Sequence, residues 1–298
     1  MAAVAVSLVF VAILMRQAGL SLAMSTPGAL AVVVAFVLLG TVRWRCRRST
    51  SGAARSAGEF AEYVGLSTAI ALVGAVASYP VAAFSHGFAD ASLQRWDEAL
   101  HFDWLAWYRF TAAHPALQLV SRGAYEMIYV SPALLLGFYA VTGRRRSAYE
   151  FMGAIWVSAV LTLVAFLFMP AIGPFAYLWH APIPYMPVSD LWQPEIIPKL
   201  RAHDPGQIDL GHLVGLVSAP SFHAAAAVVL IAFAARERRI GVPLVVANVA
   251  MLLSTPVEGT HYLIDLVLGA VVALCSIGII VAARGEGRKA IRARRRRS

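Results

Sequence analysis

The sequence contains little charge and almost no cysteine. Only 14% of its 298 residues are charged, whereas 59% are hydrophobic, and the mean hydropathy is +0.69. This composition excludes an ordinary water-soluble domain and predicts an all-α polytopic membrane bundle. Cys46 lies in a basic cluster and Cys275 in an apolar run, so we expect two free thiols and no disulfide. The sequence also lacks an internal repeat, which counts against a transporter built from two related halves.

The net charge of +9 comes from short basic clusters between apolar runs. These clusters occupy 43–48, 144–146, 236–239 and 288–297. Such spacing is typical of cytoplasmic loops under the positive-inside rule, and it favours membrane topology over nucleic-acid binding. No nucleic-acid partner is expected.

Apolar runs long enough to cross a bilayer, which takes about 20 residues, occur along most of the chain. The predicted spans are 2–22, 27–42, 61–85, 117–141, 147–169, 219–235, 239–257 and 260–284. Placing every basic cluster on the cytoplasmic side predicts a multi-pass cell-membrane protein with both termini cytoplasmic. The apolar start lacks a basic n-region, so an uncleaved first helix is expected.

The predicted organisation has three parts. Residues 1–58 would form the N-terminal membrane helices and a basic loop, 59–285 the catalytic membrane domain, and 286–298 a basic cytoplasmic tail. Between the spans, 89–115 mixes aromatic and charged residues, as in an interfacial helix that anchors the bundle or acts as a lid. The segment 170–218 contains eight prolines and is predicted to be an ordered extracytoplasmic loop.

Two apolar segments begin with histidine: "APSFHAAAAVVL" contains His223, and "GTHYLIDLVLGA" contains His261 and Asp265. Ionisable residues in membrane helices are costly and indicate function. A single histidine at a helix start is usually a capping or interfacial residue, but the pair together with Asp265 favours a catalytic site. The four-residue spacing places His261 and Asp265 on one helix face. We predicted helix starts at Pro220, with His223 in the first turn, and at Thr260 as N-cap.

Two helix N-termini at one membrane depth predict a site for an anion, namely a phosphate at the lipid–water boundary. A carboxylate beside His261 suits a nucleophile or base, and His223 suits a general acid. A metal held by two histidines and Asp265 is the alternative, but no further ligand stands at metal-binding spacing, so no metal is expected.

These residues resemble motifs of the type 2 phosphatidic acid phosphatase superfamily, and more closely of its branch with inositol phosphorylceramide synthase, an enzyme of sphingolipid metabolism. "PSFHA" (220–224) resembles its Pro-Ser-x-His motif and "HYLIDLVLG" (261–269) its His-x-x-x-Asp motif. "PAIGPFAYLW" (170–179) and "WDEALHFDW" (96–104) resemble further segments of that branch.

The resemblance covers roughly residues 85–285. It implies a six-helix core without a metal or other cofactor, in which His261 attacks phosphorus to give a phosphohistidine. His223 would then protonate the leaving group, and Asp265 would orient the nucleophile.

One departure concerns phosphate binding. The phosphatases of the superfamily carry an arginine six residues before the nucleophile, where this chain has Thr255, and their upstream basic motif is not found here. A transferred phosphoryl group still needs donors or cations around its oxygens. The candidates for holding the substrate are Ser221, Arg122, Tyr125, Tyr129, Lys199, Arg201 and Tyr262.

The leading hypothesis is an enzyme that acts on a phospholipid or polyprenyl phosphate at the outer leaflet. It would pass a phospho-head group to a lipid alcohol, as an inositolphosphotransferase does, or release phosphate to water. The missing arginine and the long Gly-Pro loop favour transfer. A lipid transporter and a non-catalytic scaffold are the competing classes; the charges are not spread through the spans, which counts against transport.

Overall fold

The computed structural model describes residues 2–203 and 206–295, and the described chain is mostly helical. The helices are α1 (Ala2–Gln17), α2 (Pro27–Cys46), α3 (Gly52–Phe84), α4 (Asp90–Ala99), α5 (Trp104–Ala112), α6 (Pro115–Tyr125), α7 (Met127–Val141), α8 (Arg145–Phe168), α9 (Pro174–Leu178), α10 (Gln193–Arg201), α11 (Phe222–Ala234), α12 (Gly241–Glu258) and α13 (Leu263–Arg295). Two-residue strands, β1 (Ser21–Leu22) and β2 (Gln207–Ile208), pair in parallel. The predicted all-α membrane bundle is confirmed.

Within the described residues, five helices are long and apolar enough to cross a bilayer: α2, α3, α8, α12 and α13. The α6–α7 pair, which bends by 45°, passes the same test as one unit. The other two predicted spans are shorter helices, because α1 has 16 residues and α11 has 13. At 1.5 Å per residue, α11 extends about 20 Å, less than the thickness of the hydrocarbon layer.

Helix α11 lies in the main core, where it packs against α7, α8, α12 and α13, and α3 contributes Tyr63 and Ile70 to the same core. Its run of four alanines, 224–227, is buried and lets neighbouring helices approach closely. These helical segments correspond to the predicted six-helix core. Helix α3 begins at Gly52 and therefore runs through the predicted domain boundary at 58/59, and the backbone of α13 continues as helix past 285.

Three of the basic clusters, 43–48, 144–146 and 236–239, meet at one end of the bundle. Arg43 and Arg145 both pair with Glu62, at 2.7 and 3.2 Å, and so join α2, α3 and α8. Arg284 of α13 lies 3.7 Å from Glu150 of α8. These pairs, together with that of Arg144 and Glu237, bring the clusters at 43–48, 144–146 and 236–239 to one end of the described bundle.

The opposite end carries α4, α5 and the proline-rich segment. The interfacial segment forms two helices rather than one, because the chain turns at His101, whose φ is +57°. Trp104 and Tyr108 are buried, while Trp96 and Trp107 are exposed, so only part of the aromatic set is available to an interface. The proline-rich segment contains only short helices and packs through α10 against α3.

Candidate active site

The N-terminus of α11 holds the first histidine. Ser221 is the N-cap residue, and its hydroxyl accepts a hydrogen bond from the amide of Ala224 at 3.3 Å. The helix therefore begins at Phe222, two residues later than predicted, and Ser221 is fully buried as a cap. The amides of Phe222 and His223 have no acceptor in the described part of the chain.

The start of α13 differs from the prediction. The helix begins at Leu263, and Thr260 adopts a left-handed conformation with φ +50°, so Thr260 is not its N-cap. The cap comes from α4 instead, because the carboxylate of Asp97 accepts from the amides of Leu263 and Ile264 at 2.8 and 2.9 Å. His261 lies in the turn before the helix.

Asp265 also bonds to this turn, since its Oδ2 accepts from the amide of Tyr262 at 3.0 Å. With Asp97 and Asp265 bonded to the amides of 262–264, the α13 terminus already has carboxylate partners. The expectation that both helix ends offer free amides to an anion is therefore met by α11 and not by α13.

His261 and Asp265 face each other. The distance from His261 Nδ1 to Asp265 Oδ2 is 3.5 Å, which is within ion-pair range but longer than a good hydrogen bond. His261 is 4% exposed and Asp265 is completely buried. Because Nδ1 faces the carboxylate, Nε2 is the ring nitrogen left to react with a substrate.

His223 is oriented by Tyr125 of α6. The two rings stack with centroids 4.2 Å apart, and the Tyr125 hydroxyl lies 3.4 Å from His223 Nδ1. The contact leaves Nε2 of His223 as the nitrogen that can give or take a proton. His261 lies close enough to interact electrostatically with His223.

Two glycines allow these segments to meet. The site that a Cβ on Gly259 would occupy is 2.7 Å from a His261 ring carbon and 3.0 Å from a Tyr125 ring carbon. On Gly269, a Cβ would lie 2.3 Å from the Ser221 carbonyl oxygen. The amide of Ser221 in turn donates to the carbonyl of Asp265 at 3.0 Å, which ties the two histidine segments together.

Substituting Gly269 by alanine should force α11 and α13 apart, because the new methyl group would meet backbone rather than a flexible side chain. Overpacking of this kind costs about 1–3 kcal/mol. We expect a lower melting temperature in detergent and reduced activity. Gly278→Ala is the matched control, since no atom lies within 4 Å of its Cβ position on the same helix. Equal stability of the two variants would contradict this packing.

Unsatisfied polar atoms are concentrated here. Nine buried side-chain nitrogen or oxygen atoms have no hydrogen-bond partner in the described part of the chain, and four of them belong to His223 (Nε2), His261 (Nδ1), Asp265 (Oδ1) and Ser218 (Oγ). Buried polar groups normally have partners. The concentration of unpaired groups on the two histidine segments indicates a site built for a polar ligand.

An aromatic cluster packs beside these segments. It comprises Trp104, Tyr108, Phe175, Trp179 and Tyr185. Trp104 donates to the Pro256 carbonyl at 2.8 Å, and Tyr108 donates to the Tyr185 carbonyl at 2.7 Å. The cluster therefore fixes the 182–190 loop and α5 against the turn that carries His261.

Sequence reasoning did not single out three buried carboxylates that hold this framework. Asp97 caps α13, as described above. Asp90 accepts from the amides of Ile172 and Gly173 and from the Tyr262 hydroxyl, each at 3.0 Å. Glu258 accepts from the Tyr185 hydroxyl at 2.7 Å.

Burial raises the pKa of Asp90 and of Asp97, and the hydrogen bonds from their partners oppose that increase. The sequence signal for Asp90 and Asp97 was the presence of acidic residues within the aromatic segment 89–115. Such charges need partners when the aromatic helix is buried.

The structure does not bring every predicted substrate-binding residue to the site. Tyr129 is 77% exposed on the outside of α7, and Tyr262 is buried with its hydroxyl on Asp90. Lys199 pairs with Glu195, and Arg201 donates to Ser85 and Gly87 next to α3. These contacts give Tyr262, Lys199 and Arg201 structural roles.

Arg122 is the predicted cation with a link to the site. It is exposed on α6, three residues before Tyr125, whose hydroxyl lies 3.4 Å from His223 Nδ1. Arg122 has no ion-pair partner among the described residues. Over the same residues, no group of three or more His, Cys, Asp or Glu side chains could hold a metal ion.

Comparison with known proteins gives one family. A model of the PAP2 superfamily, the type 2 phosphatidic acid phosphatases, matches residues 91–279, more than half of the chain. The match includes both histidine segments, Asp97 and the aromatic cluster. Neither the curated proteins nor the solved structures contain a match.

Proposed function

Because the chain belongs to the PAP2 superfamily, we propose that it is a membrane enzyme that transfers a phospho group from a lipid, with His261 as the nucleophile. The observation that carries this proposal is the set of unpaired buried polar atoms on His223, His261 and Asp265. Two imidazoles with an adjacent carboxylate match the needs of phosphoryl transfer through a covalent intermediate.

In the first step, His261 Nε2 attacks phosphorus and the bond from phosphorus to the leaving oxygen breaks. His223 Nε2 donates its proton to that oxygen, which leaves as an alcohol. Asp265 stabilises the positive imidazole of the phosphohistidine, and its distance of 3.5 Å from Nδ1 shortens as that charge develops.

In the second step, an acceptor hydroxyl loses its proton to His223 as its oxygen attacks phosphorus. The bond between phosphorus and His261 then breaks, and both histidines return to their starting states. Tyr125 keeps the His223 ring in one orientation through both steps by stacking and by its hydroxyl contact.

The phosphate oxygens would be held by the free amides of Phe222 and His223 at the positive end of α11. Arg122 is the cation that we assign to the position left open by Thr255, whose hydroxyl instead donates to the carbonyl of Met251 at 2.7 Å. Supporting this assignment are its exposure and its position one helical turn before Tyr125, which stacks on His223.

The substrate that we propose is a lipid phosphate approached from the outer leaflet. The histidines lie at the N-terminus of α11, whereas Arg236, Arg238 and Arg239 follow its C-terminus. Under the positive-inside rule, the arginines mark the cytoplasmic face and the histidines the extracytoplasmic one. Both chain termini would then be cytoplasmic.

Between the two acceptors we favour a lipid alcohol over water, as in the inositolphosphotransferase branch. Supporting this choice, His261 is 4% exposed and the aromatic cluster covers the adjacent turn, which limits the access of bulk water to the intermediate. A phosphatase that releases inorganic phosphate would use the same residues.

The test uses the detergent-purified protein with phosphatidylinositol, phosphatidic acid or a polyprenyl phosphate, each with and without ceramide or diacylglycerol. We expect new phospholipid that requires both the acceptor and His261, with His261→Ala as the control. Free phosphate that is independent of the acceptor would establish a lipid phosphatase instead. A folded protein that makes no histidine-dependent product would overturn the enzymatic proposal and favour a lipid transporter.

A further inference from the structure

A second polar cavity lies at the other end of α11. Its volume is about 490 Å³, and it is lined by Phe138, Thr142, Arg144, Arg236, Glu237, Arg238 and Arg239. His223 is the second residue of α11 and Arg236 follows its last residue by two positions, and this 13-residue helix is about 20 Å long. The cavity is therefore separate from the candidate active site.

The cavity is strongly positive. Four guanidinium groups line it, against one carboxylate, that of Glu237. Glu237 is 4% exposed and already forms an ion pair with Arg144. Arg236 lies over the Phe233 ring at 4.8 Å, and neither Arg238 nor Arg239 has an ion-pair partner in the described part of the chain.

A tight turn presents these arginines. The amide of Glu237 donates to the Ala234 carbonyl, and the Gly241 amide donates to the Glu237 carbonyl, both at 2.8 Å. A Cβ on Gly241 would lie 2.6 Å from the Ala234 carbonyl oxygen, so the turn needs glycine there. The backbone that carries the guanidinium groups is therefore fixed.

Membrane topology alone explains basic residues at this face, including the exposed Arg47 and Arg48, which have no ion-pair partner among the described residues. It does not explain why four arginines converge on one cavity. Elsewhere on the same face, Arg43, Arg145 and Arg146 pair with Glu62, Glu59 and Glu150. Among the described residues, the one carboxylate that lines the cavity is that of Glu237, and it pairs with Arg144. Unpaired arginines around a cavity attract an anion, and a guanidinium fork matches phosphate oxygens.

We propose that this cavity binds the phosphate ester of an anionic ligand, with Arg238 and Arg239 as the principal contacts. The phosphate could be supplied by the headgroup of an acidic phospholipid in the adjacent leaflet or by a soluble phosphate ester. The volume accommodates a glycerophosphate-sized group, and Phe138 provides an apolar wall for its carbon atoms. This site does not depend on the function proposed for the histidines.

The test measures binding to the full chain in neutral detergent, with phosphatidylglycerol, phosphatidylcholine, glycerol 3-phosphate and inorganic phosphate as probes. Spin-labelled lipid or native mass spectrometry reports occupancy. We expect phosphatidylglycerol to bind at least about tenfold more tightly than phosphatidylcholine, and Arg238→Gln/Arg239→Gln to remove that preference. Competition by glycerol 3-phosphate with the same arginine dependence would identify a soluble phosphate as a sufficient ligand.

The matched control is Arg47→Gln/Arg48→Gln, which removes two exposed arginines between α2 and α3, away from the cavity. It should retain the affinity for phosphatidylglycerol within about twofold. Equal losses in both double variants would show a general charge effect and overturn the proposal, as would equal binding of the two lipids by the unmodified protein. A melting curve without lipid verifies that each variant is folded.

Discussion

Replacing His261 by alanine should abolish turnover, with kcat lowered on the order of 10⁴-fold or more, as when other catalytic nucleophiles are removed. In the proposed mechanism the imidazole ring of His261 forms the covalent bond to phosphorus, and no second group can replace its Nε2. Folding should be retained, because the ring makes no hydrogen bond in the described part of the chain, while its backbone amide still donates to Pro256 at 3.1 Å.

The measurement compares initial rates of lipid turnover for wild type and variant at equal folded concentration. His180→Ala is the control, since this histidine is exposed in the proline-rich segment. It should leave the rate within about twofold, as surface substitutions usually do little. A His261→Ala protein with more than one-tenth of the wild-type rate would contradict the assignment of the nucleophile.

Replacing His223 by alanine should lower kcat by about 10²–10⁴-fold on a lipid substrate, the usual contribution of general acid–base catalysis. The size of the effect should depend on the leaving group. A lipid alkoxide is a poor leaving group and needs the proton from His223, whereas p-nitrophenolate leaves without one. The loss should therefore be much smaller for the first step with a p-nitrophenyl phosphate ester.

The matched variant is Tyr125→Phe, which keeps the ring stacked on His223 and removes the hydroxyl contact at 3.4 Å. It should lose less activity than His223→Ala, and it should separate the role of ring packing from that of the hydroxyl. If His223→Ala loses the same factor with both leaving groups, His223 does not act as the general acid.

Local sequence patterns were sufficient to predict the fold class and the central residues of the candidate active site. A composition that is 59% hydrophobic predicts a membrane bundle, and the structure is a helical bundle. His261 and Asp265 are four residues apart, so their proximity follows from local geometry. His223 lies near them because two apolar helices begin at the same end of the bundle, which the alternation of basic clusters also predicts.

Long-range contacts were not predictable in the same way. Asp97 caps α13 across 166 residues, so the sequence around Thr260 contains no sign that its cap comes from elsewhere. Lys199 was a reasonable candidate for binding the substrate phosphate because it lies in the proline-rich segment. However, Glu195 lies one helical turn away and pairs with it at 2.6 Å. Glu258 looks like a surface charge in sequence, but it is fully buried beneath Tyr185.

The most direct test of the central claim is to trap the covalent intermediate. The protein is mixed with a lipid labelled with ³²P at the transferred phosphate and quenched within milliseconds in cold alkaline detergent, because phosphohistidine is hydrolysed in acid. The account predicts label on the peptide that contains His261, stable to alkali and lost in acid, and none on His261→Ala. A wild-type protein that turns over without any labelled histidine, or whose label survives a parallel acid quench as an acyl phosphate does, would contradict the account.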